Sequence, residues 1–323
     1  MTPDAGRDRL LALLGRLPAR VPQPPPAATR HFVLDGIEIE TWILPGPREP
    51  IPALFLVASG APKPAPALLA LHPHGRQYET GKSLVAGLVG DGSRAYALEA
   101  ARSGFAVLAP DLIGFEDRRP PLPVRKSSYA LQGEGFERTL AMRALAEGST
   151  LQGLILSDLS ACIDALELEP RADVTRLASI GQSFGGQETI FAMLFEPRLR
   201  AGVASCGFSL MEILLERSIS HNFALYLPGM VPGFDFDAIV AALAPKPLFV
   251  VAGIRDAIYP VDGVRRVEER ARAAYAAVGA PDSLRFHYFD GTHDLPREAL
   301  LEALAWLKEI TQEEAAPLRT PSS

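Results

Sequence analysis

Cysteine is nearly missing from this chain of 323 residues: Cys162 and Cys206 are the two present, too few for a disulfide framework and without the clustered spacing of a zinc site. Both read as buried thiols. No tract of lysine or arginine occurs, and the net charge of -6 comes with a pI near 5.6. Neither nucleic acid nor an anionic membrane is therefore expected as a principal partner. No apolar run approaches the roughly 18 residues of a membrane span. The stretch from Leu10 to Leu14 is far shorter than a signal-peptide core, follows Asp8 and Arg9 directly and lacks a clear cleavage site, so a cytoplasmic protein is expected.

What is present suits a large core. Hydrophobic residues make up 48% of the chain, enough to stabilise a sizeable α/β domain without disulfide or metal. Leu10, Leu13, Leu14 and Leu17 share one helical face over residues 5 to 17, and "VPQPPPAATR" then ends any helix. Residues 1–29 thus read as a helix and proline-rich linker that packs on the domain, with oligomer contact as the lesser role. From "HFVLDGIEIETWIL" the pattern turns to strands, with Asp35-Gly36 as a hairpin turn and His31 ahead of the first strand.

After "ALFLVAS" and "ALLALH" the period alternates between buried strands ("FAVLAP", "VTRLASIG", "RAGVASC", "PLFVVAG", "LRFHYFD") and helices. An antiparallel start followed by this alternation implies an α/β fold with a mostly parallel, doubly wound sheet over residues 30–311. Residues 112–149 and 207–235 fit neither period and read as excursions that wall a pocket beyond the carboxyl ends of the strands. Residues 312–323 read as a disordered tail.

The segment "ASIGQSFGGQETI" places Ser183 among three glycines between a strand and a helix. The pattern Gly181-Gln182-Ser183-Phe184-Gly185 is the nucleophile elbow of α/β-hydrolases, which exposes a serine hydroxyl at the sheet edge. A serine needs a base to take its proton, and the base needs an acid to fix its tautomer. His293 in "FDGTHDLP" sits just after the last strand, whereas His287 lies within it. After "PLFVVAG", the segment "IRDAIYPVDG" offers Asp256 and Asp262, and Asp256 is favoured as nearer the strand end. One oxyanion donor is expected from the Phe184 N–H. The other is expected from "LHPHGRQYETGK", where Pro73 has no N–H, so His74 is preferred, with Gly75 or Arg76 as alternatives. His72 and His74 lack an acid or cysteine at ligand spacing, so no metal and no cofactor is expected.

Asp111 reads as a turn cap, and Arg118 and Arg119 as solvated or paired charges rather than substrate contacts. Phe208, Met211, Phe223, Tyr226 and Met230 could line a pocket but more often such residues are core.

Together, "LHPHGRQYETGK", "YALEAARSGFAVLAPDLIGFEDRR", "GQSFGGQ", "APKPLFVVAGIRDAIYPVDGVRR" and "FDGTHDLP" make the chain similar to the dienelactone hydrolase and acetyl-xylan-esterase-like branch of the α/β-hydrolases over about residues 65 to 310. The resemblance implies Ser183, Asp256 and His293 as triad. Dienelactone hydrolase itself uses cysteine, so serine at position 183 shifts the expectation towards carboxylic ester hydrolysis of a small molecule. Peptidase chemistry of the prolyl-oligopeptidase type and a non-catalytic binder are the alternatives, and a homo-oligomer remains open.

Overall fold

The computed structural model describes residues 1–61, 64–90 and 92–312. The strands are β1 (Arg30–Leu34), β2 (Ile37–Leu44), β3 (Ile51–Ala58), β4 (Ala65–Leu71), β5 (Ala106–Pro110), β6 (Ala172–Gln182), β7 (Ala201–Ser205), β8 (Leu248–Gly253) and β9 (Leu284–Phe289). The helices are α1 (Pro3–Leu14), α2 (Lys82–Val85), α3 (Tyr96–Arg102), α4 (Leu122–Ser127), α5 (Gly133–Ala146), α6 (Leu151–Leu166), α7 (Phe184–Phe195), α8 (Met211–Glu216), α9 (Phe236–Ala241), α10 (Val261–Ala277) and α11 (Arg297–Gln312).

All nine strands join one sheet in the order β1-β2-β3-β5-β4-β6-β7-β8-β9. The first three pairings are antiparallel and the remainder parallel. Sequence pattern follows position. Central β4 is buried at every residue, as a strand covered on both faces must be, whereas β2 alternates. Asp35 and Gly36 both have positive φ, 48° and 79°, the requirement of the tight turn that joins β1 to β2. His31 lies inside β1, one residue into the strand rather than ahead of it.

Two apolar clusters cover the two faces of the sheet. On one, α6 is buried along nearly its whole length. α10 buries only Gly263, Val264, Val267, Ala271 and Tyr275, the three-to-four spacing of a helix with one face on a core. α1 stops at Leu14 because Gly15, at φ 73°, leaves the helical region. Leu17 is therefore outside the helix. Leu10 and Leu14 are fully buried, and Arg7 Nε donates to the Phe195 carbonyl at the carboxyl end of α7 at 2.9 Å. No helix among the described residues is long and apolar enough to cross a membrane. The expected tail past Gln312 lies outside the described residues.

Candidate active site

β6 runs into α7 through a single turning residue, Ser183, at φ 58° and ψ -118°. A side-chain-bearing residue there costs roughly 1–3 kcal/mol and persists only where its surroundings fix it. They do so here. The Ser183 N–H donates to the Ser205 carbonyl at the end of β7 at 2.8 Å, and the Ser183 carbonyl accepts from Gln187 N–H at 2.9 Å. The glycines are demanded by close approach: a Cβ on Gly181 would lie 2.2 Å from the Gly185 carbonyl carbon, and one on Gly185 would lie 1.8 Å from the Leu71 carbonyl oxygen.

The structure brings Ser183, His293 and Asp256 into one hydrogen-bonded chain. Ser183 Oγ is 2.7 Å from His293 Nε2, and His293 Nδ1 is 2.8 Å from Asp256 Oδ2. The other Asp256 oxygen accepts from the N–H groups of Ile258 and Tyr259 at 2.9 and 3.0 Å. Burial works against the Asp256 carboxylate, but the His293 bond and charge together with these N–H groups outweigh it and hold its pKa below the ordinary value. With the Asp256 carboxylate accepting from Nδ1–H, Nε2 is the acceptor for the serine hydroxyl.

The loop carrying His293 is pinned against β8, since Arg255 N–H donates to the Gly291 carbonyl at 2.9 Å. A Cβ on Gly253 would sit 2.0 Å from the Thr292 carbonyl oxygen. Asp262 is not part of this chain: it lies in the first turn of α10 and pairs with the Arg217 guanidinium. His287 pairs with Glu302 at 2.8 Å.

On the opposite side of Ser183, Phe184 opens α7, so its N–H has no acceptor within the helix. The His74 loop follows β4, with its imidazole fully engaged. Nδ1 accepts from Arg76 N–H at 3.1 Å, which leaves the proton on Nε2, 2.7 Å from Glu137 Oε2. Tyr78 Oη donates to the same carboxylate at 2.6 Å, and Glu137 Oε1 accepts from Phe223 N–H at 2.8 Å. Burial opposes ionisation of Glu137, yet the His74, Tyr78 and Phe223 donors prevail and lower its pKa. Glu137 thus joins the His74 loop to both excursions. Sequence motifs do not point to it. The available signal was its place on the buried face of α5, in helical register with Ala141 and Ala144.

A second buried polar group runs under the site. Glu188 accepts from Gln152 Nε2 at 2.5 Å and from Gln187 Nε2 at 3.1 Å, and Gln187 in turn pairs with Asn222 at 2.8 Å. Burial pushes the Glu188 carboxyl up to about 8, although both amides act in the other direction.

A cavity of about 710 Å³ opens at Ser183 and His293. The first excursion contributes Ala141, Met142 and Leu145, and the second contributes Phe223 and Tyr226. Phe208, Met211 and Met230 are instead core residues.

Asp111 does more than cap a turn. With Glu116 and Asp117 it surrounds the Lys82 ammonium at 2.6–2.7 Å, so three acids with metal-ligand proximity hold a lysine instead. Cys206, Asp256 and His293 also bring donor atoms together. Both His293 and Asp256 are engaged there as described, and the Cys206 thiol donates to the Asp294 carbonyl at 3.4 Å. Arg118 is buried and paired with Asp158 and Glu49 at 2.8 Å, and Arg119 pairs with Glu79. His72 is fully buried, accepts from Leu112 N–H at 3.0 Å, and is driven down to about 4 by desolvation.

No family model matches the sequence. The Bacillus subtilis (strain 168) protein YtaP, described as a candidate hydrolase, is 29% identical over 283 residues, covering 86% of this chain and 90% of that protein. Among solved structures, a candidate acetyl xylan esterase of Bacteroides fragilis NCTC 9343 superposes with a TM-score of 0.72 at 17% identity, covering 96% of this chain and 89% of the other. Acetyl xylan esterase 1 of a Thermoanaerobacterium species gives 0.61 at 18%, covering 95% and 93%.

Proposed function

We propose, from the premise that the chain has the α/β-hydrolase fold, that it is a serine hydrolase of carboxylic esters. The observation that carries the reading is the continuous Ser183–His293–Asp256 chain, with both links at hydrogen-bond distance. The esterase names of the structural neighbours agree with it.

In this reading Ser183 Oγ attacks the ester carbonyl as its proton passes to His293 Nε2, and Asp256 stabilises the imidazolium through Nδ1. The carbonyl oxygen gains charge against the Phe184 N–H at the head of α7, where the aligned peptide dipoles favour an anion. A backbone N–H of the His74 loop supplies the second donor. His293 then returns the proton to the departing alcohol, and water deacylates Ser183 by the same route in reverse. The His74 side chain takes no part in proton transfer, because both ring nitrogens are held by Arg76 and Glu137. The apolar side chains of Ala141, Met142, Leu145 and Phe223 along the cavity at Ser183 favour a small-molecule ester.

Ser183→Ala is expected to leave the fold intact and to lower kcat for a p-nitrophenyl ester by at least about 10⁴-fold, as removal of a triad serine does elsewhere. Unchanged turnover in that variant would overturn the proposal. A fluorophosphonate probe should label the wild-type protein once, at Ser183. A higher kcat/KM for an anilide than for the matched ester would move the assignment to amide cleavage.

A further inference from the structure

The polar groups facing the cavity are mostly committed to other protein groups. Both Glu137 oxygens are taken by His74, Tyr78 and Phe223. Asn222 bonds Gln187 through its amide and accepts from Leu225 N–H at 3.1 Å through its carbonyl. His221 places Nε2 2.8 Å from the Ile258 carbonyl, with its ring stacked on Tyr259 at 4.2 Å. The Tyr226 hydroxyl already accepts from His221 N–H at 3.1 Å. Among the side chains that remain for a ligand are one ring nitrogen of His221 and the hydroxyls of Tyr226 and Tyr259.

The polar lining groups Arg76, Glu134 and Ser220 are exposed. Between them, Met142, Leu145 and Ile258 line the same cavity with 63%, 49% and 40% of their surface open. Large apolar side chains grouped about an opening are a mark of a binding surface.

We infer that the cavity takes an ester whose enclosed part is an alkyl or aryl group in preference to a polyhydroxylated one; the inference deepens the ester-hydrolase reading and rests on it. A sugar ring brings several hydroxyls, and each one buried without a partner loses roughly 5- to 150-fold in affinity. Each methylene buried against the Met142, Leu145 and Ile258 side chains gains about fourfold. The two effects act in the same direction, so the wall discriminates by what it fails to offer as well as by what it covers.

The test measures kcat/KM of the full chain on two series: p-nitrophenyl acetate against p-nitrophenyl hexanoate, and hexyl acetate against a mono-acetylated methyl xyloside that keeps its other hydroxyls free. At least a tenfold preference for the more apolar member of one series is expected, and Leu145→Asn should narrow it. A preference below tenfold in both, or a preference for the glycoside, overturns the inference. Calorimetry with Ser183→Ala protein separates the two readings. Tighter binding of hexyl acetate than of the glycoside, in a wild-type protein that cleaves neither, would sustain the apolar site and remove the hydrolase assignment. Tighter binding of the glycoside would overturn the apolar site whatever the turnover.

Discussion

Replacing Glu188 by glutamine should make the protein progressively more stable than the wild type as pH rises from about 4.5 to about 8. Glu188 has no exposed surface, and its hydrogen-bond partners are two neutral amides. Desolvation raises its pKa from an ordinary 4.5 to about 8. Between those values the unfolded chain has released the proton that the folded chain still binds, so folding requires proton uptake and stability falls with increasing pH. Below 4.5 both states are protonated and the stabilisation is fully present; above 8 both are ionised and the loss is complete. The span is about 3.5 pH units, and at about 1.4 kcal/mol per unit the total is at most about 5 kcal/mol.

Glutamine resembles the protonated acid in shape and cannot titrate, once the Gln152 or Gln187 amide turns over to offer it a carbonyl. Urea denaturation of both proteins at pH 5, 6, 7, 8 and 9 isolates the contribution, since every other titrating group is common to the pair. The stability difference should grow by at least about 2 kcal/mol between pH 5 and 8 and then level. A difference that stays flat, or that turns against the variant as pH rises, would show that Glu188 is folded as a carboxylate, and the desolvation argument would fail.

Asp256→Asn should lower kcat by about 10⁴-fold, while Asp262→Asn, exposed and paired only with Arg217, should change it less than about twofold; the reverse ranking would transfer the acid's role. Gly185→Ala should cost more than about 4 kcal/mol, because the added Cβ meets backbone rather than a movable side chain, and a variant with an unchanged denaturation midpoint would refute the close-approach argument. Glu137→Gln should reduce kcat roughly tenfold, on the scale of one charge-assisted hydrogen bond lost near the reacting centre, with KM nearly unaltered; a KM-only effect in steady-state kinetics would confine Glu137 to the pocket wall.

The parts of the fold legible in the sequence are those in which a local pattern has a single geometric solution. Gly181, Gly185 and the strand before Ser183 specify a turn that only one arrangement satisfies. Continuous apolar runs such as β4 and β8 identify strands in the interior of the sheet, and closeness to the end of β8 is what separates Asp256 from Asp262. Elsewhere the decisive partner is far along the chain. Glu137 meets His74 across 63 residues, and no local signal states that pairing. Arg118 reads as solvated or paired, but its partners Glu49 and Asp158 cannot be named from the sequence because they approach it only in the folded chain. Phe223 and Tyr226 could not be told from Phe208, Met211 and Met230, since no period in that segment runs long enough to assign an inward or outward face.

The docking of α1 bears on how the chain is made. Translation delivers Leu10 and Leu14 early, but the Phe195 carbonyl that receives Arg7 follows 188 residues later, and Thr150, whose hydroxyl caps the Leu14 carbonyl, follows 136 residues later. At 5–20 residues per second the interval to Phe195 is roughly 10–40 s. Until these later segments emerge, the first leucines lack part of the surface that covers them in the folded chain. Sheet formation has the same vectorial bias: the antiparallel strands emerge first, and β8 and β9, which carry Asp256 and His293 at their ends, emerge last. A chain cut short at residue 290 would hold the serine and the aspartate without the imidazole that connects them.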